Sequence, residues 1–322
     1  MSETWNAGGR LRELMDAGVV AAPGAFNGLC ARAVAQAGFD ACYVSGAATS
    51  VCAGVPDVGV LTLEHFARTV REVCDSARWG EKRLAVMADA DTGFGEEEMV
   101  RRTVIEYARA GAAGLHIEDQ VFPKRCGHLD GKELVGIEQA VSKVEWAVAA
   151  ARECDPMAGA GAAGRMPAPP GFIVCARTDA RGVEGFDGAV ERARAYVGAG
   201  AEMVFPEGLE SEKEFGRFAE EVRGKGTKAR RHGGTKGVYL LANMTEFGKT
   251  PQISVGRFGE MGYDLVIYPV SMLRAAMGAV VRGLAALRRD GSVEALLGEM
   301  QTRKDLYELI GYEPGVAWEW PG

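Results

Sequence analysis

Asp89 and Asp91 stand two residues apart in Asp89-Ala90-Asp91, and Glu118 closes the later run Gly114-Leu115-His116-Ile117-Glu118. Three carboxylates at the ends of apolar runs make an all-oxygen set, which suits a hard cation such as Mg2+ or Mn2+ better than Zn2+. In extended backbone the two aspartates point the same way, and His116 is read as alternating away from Glu118 and out of the cluster. A single Asp at a strand end is more simply a helix cap or a solvated loop acid; the convergence of three favours a metal. Shortly after Glu118 comes Pro123-Lys124-Arg125-Cys126-Gly127-His128, a cysteine among two cations, a histidine and a glycine. Alone, that run also reads as a solvated basic loop. Beside carboxylates it offers acid-base chemistry on an anionic substrate, because neighbouring cations lower a thiol's pKa from about 8.5 toward neutrality.

Such residues act together only if the fold gathers strand ends. Eight short apolar runs recur along the chain, at 19–23, 41–44, 84–89, 114–118, 172–177, 203–206, 239–243 and 265–268. Segments of helical period lie between them, for example 95–110 with Met99, Val100, Val104 and Tyr107 on one face, and 188–198 with Val190, Ala193 and Val197. Runs such as Leu265-Val266-Ile267-Tyr268 are continuously apolar, as expected of parallel strands covered by helices. The alternation predicts an α/β fold, a (β/α)8 TIM-type barrel. A doubly wound open sheet fits less well, since no G-x-G-x-x-G follows the first run.

In a barrel the catalytic groups come from the C-terminal ends of the strands. Here the ends carry Tyr43 with the Ser45-Gly46-Ala47 turn, Asp89 and Asp91, Glu118 and Asp119, Arg177, Glu207, Asn243 with Thr245, and Tyr268. The turn's backbone amides suit an anion, and guanidinium forks such as Arg177 pair with carboxylates. Arg274 and Arg303 lie in helical segments near the C-terminus. The implied ligand is a small di- or tricarboxylate beside a divalent cation. Glu96, Glu97 and Glu98 are read as first-turn helix acids.

Two stretches break the rhythm, 155–171, rich in Ala, Gly and Pro, and 224–237, basic and Gly-rich. Each follows a helix and precedes a strand, so both are read as flexible insertions on the N-terminal face of a single barrel domain spanning 1–322 with a C-terminal helical tail. The 322 residues, 47% hydrophobic and 25% charged, are an ordinary globular composition, and the net charge of -7 supplies no basic field for nucleic acid. No apolar stretch reaches the roughly 18 to 20 residues of a membrane span. Seven cysteines without a C-x-x-C pair read as reduced thiols, which points to the cytoplasm and leaves a mitochondrial location open.

The ordered set Tyr43-Val44-Ser45-Gly46, Val55-Pro56-Asp57, Asp89-Ala90-Asp91-Thr92-Gly93-Phe94-Gly95, Gly114-Leu115-His116-Ile117-Glu118-Asp119, Lys124-Arg125-Cys126-Gly127-His128, Ala176-Arg177-Thr178-Asp179, Phe205-Pro206-Glu207, Asn243-Met244-Thr245-Glu246-Phe247-Gly248 and Met300-Gln301-Thr302-Arg303 resembles the isocitrate lyase and phosphoenolpyruvate mutase superfamily. Within it the resemblance is greatest to the 2-methylisocitrate lyases, and it covers residues 11–312. His128-Leu129-Asp130-Gly131-Lys132 also resembles the oxaloacetate hydrolase and dimethylmalate lyase branch. Ala47 departs from the usual third small glycine and narrows the carboxylate pocket.

The resemblance implies cleavage of 2-methylisocitrate to pyruvate and succinate, a step of the methylcitrate cycle in propionate catabolism. Related lyase or hydrolase activities on oxaloacetate, dimethylmalate or isocitrate, a phosphonate-forming mutase, and an inactive metabolite-binding barrel are the alternatives. Mg2+, or Mn2+, would be held by Asp89 and Asp91 directly and by Asp57 and Glu118 through water. Cys126 would protonate the succinate carbanion, its pKa set by Lys124, Arg125 or His128, and Tyr43 is a candidate for the base. Ser45, Gly46 and Arg177 would hold the pyruvate portion, Asn243, Thr245, Arg274 and Arg303 the succinate portion beside Glu207, and Ala47, Cys126 and Gly127 would also bind the substrate. The Gln120 to Lys132 loop would close over the substrate, pivoting at Gly127 and Gly131. Relatives imply a homotetramer that exchanges a C-terminal helix.

Overall fold

The computed structural model describes residues 5–125, 127, 131–154, 171–224 and 237–318. Eight parallel strands carry the fold: β1 Val20–Pro23, β2 Ala41–Val44, β3 Ala85–Asp89, β4 Gly114–Glu118, β5 Ile173–Thr178, β6 Met203–Pro206, β7 Tyr239–Asn243 and β8 Leu265–Tyr268. Each falls on one of the apolar runs, because a strand covered on both faces has no polar positions to interrupt it; all five residues of β4 are buried.

Neighbouring strands follow one another round the sheet, and β1 pairs in turn with β8, with Val20 opposite Leu265 and Pro23 opposite Tyr268. Between β1 and β2 the ring is joined by a single parallel bridge, Gly24 to Tyr43, with the Ala25 amide donating to the Tyr43 carbonyl at 2.8 Å. The result is a nearly closed (β/α)8 barrel.

Side chains alternate between two cores. Tyr43, Met87, Cys175, Phe205, Leu241 and Ile267 fill the barrel, and Leu11 and Met15 of the helix Ala7–Ala17 join the same cluster. On the outside, the helix Glu97–Arg109 lays Val100, Val104 and Tyr107 against Val86, Leu115 and Val174. Glu97 and Glu98 occupy its first turn and Arg109 its last, complementing the helix dipole as expected.

Several features depart from the sequence reading or add to it. A two-stranded antiparallel hairpin, Arg78–Trp79 with Lys82–Arg83, is too short to leave a periodic signal. Asp91 lies beyond the end of β3 with φ 45°, so a left-handed turn, not strand pleating, sets its direction. Most of both insertions, 155–170 and 225–236, lies outside the described residues. Near the C-terminus the helix Ser271–Asp290 buries only Leu273 and Ala286, while Val281 and Leu284 are 60% and 61% exposed in the single chain. The helix Arg303–Leu309 packs against Gly28–Gln36. Among the described residues no helix is long and apolar enough to cross a membrane.

Candidate active site

Asp89, the last residue of β3, is the hub at the barrel mouth. Its Oδ2 accepts the Gly46 amide at 3.0 Å and its Oδ1 the Asp91 amide at 3.0 Å. Gly46 opens the helix Gly46–Cys52, and the Ser45 hydroxyl caps it by accepting the Ala48 amide at 3.3 Å. The close approach demands glycine: a Cβ on Gly46 would stand 2.7 Å from Asp89 Oδ2 and 3.0 Å from Asp91 Oδ1. Since groups that orient metal ligands are worth about 10- to 100-fold in affinity, Gly46→Ala is expected to raise the divalent-cation concentration for half-maximal activity by about that factor. A metal titration at saturating substrate checks it.

Lys124 is buried and its Nζ bridges two acids, Asp57 and, at 2.9 Å, Asp91. Burial alone would lower its pKa, but Glu118, Asp91, Asp89 and Asp57 together raise it, so the amine stays charged. Even so two of the acids, Asp91 and Glu118, are undercompensated. Burial pushes Asp91 up to about 7, with Asp89 and Asp57 adding to the rise against Lys124, and lifts Glu118 well above the carboxylate range. Glu118 Oε2 faces Arg177 Nη1 at 3.3 Å, yet neither Glu118 oxygen accepts a hydrogen bond. Surplus buried oxygens without donors fit a hard divalent cation. Among the described residues no three His, Cys, Asp or Glu side chains form a ready-made cage.

His116 corrects the sequence reading. Residues two apart on a strand share a face, so His116 and Glu118 both point inward. His116 Nε2 lies 2.6 Å from the Tyr43 hydroxyl, and burial lowers its pKa to about 4, which leaves a neutral ring. Tyr43 is raised well above the ordinary phenol value, by burial first and then by Asp89. As a phenol it reaches Asp89 Oδ2 at 3.5 Å, a hydrogen-bonding role that needs no phenolate.

Arg177, from β5, stands beside Glu118 of the neighbouring β4. Its Nε and Nη2 donate to the two oxygens of Asp179 at 2.9 and 3.1 Å, and Nη2 lies 3.5 Å from Glu207 Oε2. Asn243 Nδ2 donates to the same Glu207 oxygen at 3.1 Å. Arg274 Nη1 donates to the Glu246 carbonyl at 2.6 Å and lies 3.4 Å from Thr245 Oγ1.

Asp179 itself is fixed by Arg177 and by Lys132 Nζ at 2.9 Å. Burial would raise its pKa, but Arg177 and Lys132 hold it far below the carboxylate range. With the folded pKa depressed, the stability this ion cluster supplies is complete above the unfolded Asp value of about 4 and is lost as pH falls from there toward the folded value. The stability difference between the wild type and Asp179→Asn is therefore expected to shrink on acidification below about pH 4, read by urea unfolding across a pH series.

A cavity of about 140 Å3 opens at the mouth, lined by Tyr43, Ser45, Ala47, Asp57, Asp89, Lys124, Gly127, Arg177, Glu207, Asn243, Thr245 and Arg274 of the expected residues. Asp91 and Glu118, both buried, do not line it. Phe205, Glu246, Phe247, Gly248 and Val270 also line it, and the sequence reading gave them no role. Arg303, at the start of the helix Arg303–Leu309, is exposed and does not line the cavity of the single chain. Cys126 and His128 lie outside the described residues.

The family model described as phosphoenolpyruvate phosphomutase matches residues 11–288. A "Probable 2-methylisocitrate lyase 1" of Corynebacterium glutamicum is 45% identical over 310 residues, covering 95% of this chain and 90% of the relative. The 2-methylisocitrate lyase of Aeropyrum pernix is 43% identical, covering 94% of this chain and 86% of the relative. Among solved structures, 2,3-dimethylmalate lyase superposes with a TM-score of 0.81 at 33% identity, covering 96% of this chain and 92% of the other. A phosphonopyruvate hydrolase complex with oxalate and Mg++ gives 0.75 at 29% identity, covering 95% of each chain. With the barrel, the acid cluster and these similarities in agreement, the chain belongs to the isocitrate lyase/PEP mutase superfamily and is an enzyme of the lyase type, akin to the 2-methylisocitrate lyases.

Proposed function

We propose that this chain cleaves 2-methylisocitrate to pyruvate and succinate with Mg2+ as cofactor, Mn2+ being the substitute. The observation that carries the reading is one cavity lined by Asp57 and Asp89 together with Arg177 and Asn243, with the buried Asp91 and Glu118 held against Lys124 and Arg177. The acids suit a cation and Arg177 and Asn243 a carboxylate, which is the division a hydroxy-tricarboxylate requires.

Asp89 and Asp91 would hold the cation, with Asp57 and Glu118 through water. When bound, it supplies Lewis-acid stabilisation of negative charge on the substrate's hydroxyl oxygen. Arg177, with Ser45, Gly46, Ala47 and Gly127, binds the pyruvate half. Asn243, Thr245 and Arg274 bind the succinate half beside Glu207, and Arg303 joins them only if assembly brings it to a mouth. The hydroxyl proton passes to solvent water at the mouth and the carbon-carbon bond breaks. The bonding pair passes to the succinate carbon, spreads into its carboxylate and is quenched by a proton from Cys126, with His128 nearby in sequence to tune the thiol. Lys124, tied to Asp57 and Asp91, orients those acids. The exposed apolar face of Ser271–Asp290 supports association with further copies of the chain, and we assign a homotetramer.

The test is a panel of 2-methylisocitrate, isocitrate, dimethylmalate and oxaloacetate, each with Mg2+ and with chelator. Pyruvate release from 2-methylisocitrate, abolished by chelator and restored by Mg2+, is expected. Preferential turnover of another member would reassign the substrate.

A further inference from the structure

The residues on either side of Cys126 are held by side chains that the reaction itself does not use. Upstream, the Gln120 side chain clasps the Arg125 backbone: Nε2 donates to the Arg125 carbonyl at 2.9 Å and Oε1 accepts the Arg125 amide at 2.9 Å. Downstream, Lys132 Nζ donates to the Gly127 carbonyl at 2.6 Å. Gln120 is 2% exposed and Lys132 8%, so neither clasp is a solvated surface contact.

Lys132 does more than hold a carbonyl. Its Nζ also donates to Asp179 Oδ1, the carboxylate that grips Arg177 through Nε and Nη2. Gly127 in turn presses on that guanidinium: a Cβ there would meet Arg177 Nη2 at 2.3 Å and Glu207 Cγ at 2.7 Å. Gly127, Lys132, Asp179 and Arg177 therefore form a closed ring of contacts. Asp179 is anchored behind the ring, its amide donating to Asp119 Oδ1 at 2.9 Å, while Asp119 Oδ2 accepts the Tyr196 hydroxyl at 2.7 Å.

We infer that Gln120 and Lys132 are positioning residues that fix the backbone flanking Cys126, and that Lys132, through Asp179, registers it against Arg177. The inference rests on the proposed lyase reading for its kinetic part only. The ring ties the group that grips the substrate carboxylate to the backbone carrying the proton donor, so a lost clasp lowers kcat more than it raises KM.

The experiment uses Lys132→Met, Lys132→Arg and Gln120→Ala in the full-length protein, and follows alkylation of Cys126 by iodoacetamide with peptide mass mapping, alongside kcat, KM and Tm. Loss of this hydrogen bond from a charged group is expected to make Cys126 alkylation about tenfold faster or more in Lys132→Met. Gln120→Ala moves it in the same direction, kcat falls with a smaller change in KM, and Lys132→Arg restores both. Should Lys132→Met fail to fold, Gln120→Ala and Lys132→Arg decide the matter. Unchanged alkylation in the folded variants overturns the inference whatever the kinetics. The alkylation readout needs no turnover, so a wrong substrate assignment would show separately, as absent activity in the wild type.

Discussion

Replacing Cys126 by serine is expected to lower kcat on 2-methylisocitrate by about 10²- to 10⁴-fold, the range for loss of a general acid, with little change in KM. The expectation follows from the company the cysteine keeps in the sequence and from what the structure does with the other candidates. Lys124 has its pKa raised, against burial, by Glu118, Asp91, Asp89 and Asp57, and its ammonium is committed to Asp57 and Asp91. It gives up its proton at a cost no neutral-pH acid bears. The pKa of Arg177 is likewise raised well above its ordinary value, burial being outweighed by Asp179, Glu118 and Glu207. A thiol with a pKa near 8.5, lowered by flanking cations, is the group matched to quenching a carbanion near neutral pH. Serine keeps the size and much of the hydrogen bonding but donates its proton far less readily. Steady-state kinetics with pyruvate detection measures the loss, and near-normal kcat in Cys126→Ser would remove the thiol from the mechanism.

Arg177→Ala is expected to abolish measurable turnover and also to destabilise the fold by about 3–5 kcal/mol, the usual result of removing one partner from a buried charge cluster. Asp179, Glu118 and Glu207 all face this guanidinium and are themselves buried. Without it three carboxylates lose their common counter-charge. Arg177→Lys restores a charge but not the two-pronged grip on Asp179, since an ammonium cannot donate in parallel from a planar fork. The lysine variant is therefore expected to recover more stability than activity. Urea unfolding and kcat/KM on the two variants separate these contributions, and equal recovery of both would show that charge alone suffices.

The barrel was legible because parallel strands buried on both faces leave uninterrupted apolar runs, and the strand-end rule then put Asp89, Glu118, Arg177, Glu207 and Asn243 at one mouth. Local conformation was harder to read. The spacing from Asp89 predicts extended backbone at Asp91, which instead reaches the cluster through a left-handed turn. His116 faces Tyr43 inside the barrel, and its two-residue spacing from Glu118 carries the signal for that face. The supports behind the site are a different matter. Lys132 and Asp179 are 47 residues apart and Tyr196 and Asp119 77, and such pairings are set by which strands and helices become neighbours, which no local pattern records. Phe247, 95% exposed at the cavity edge with φ 62°, gave no signal beyond its place in the Asn243 to Gly248 motif.

The central claim is that this chain breaks a carbon-carbon bond and returns a solvent-derived proton to the succinate carbon. Incubation with 2-methylisocitrate and Mg2+ in D2O, with both products weighed by mass spectrometry, tests it most directly. Pyruvate and singly deuterated succinate in equal amounts are predicted, and neither in the presence of chelator. Failure to form either product with Mg2+ present, while the protein remains folded, would contradict the account.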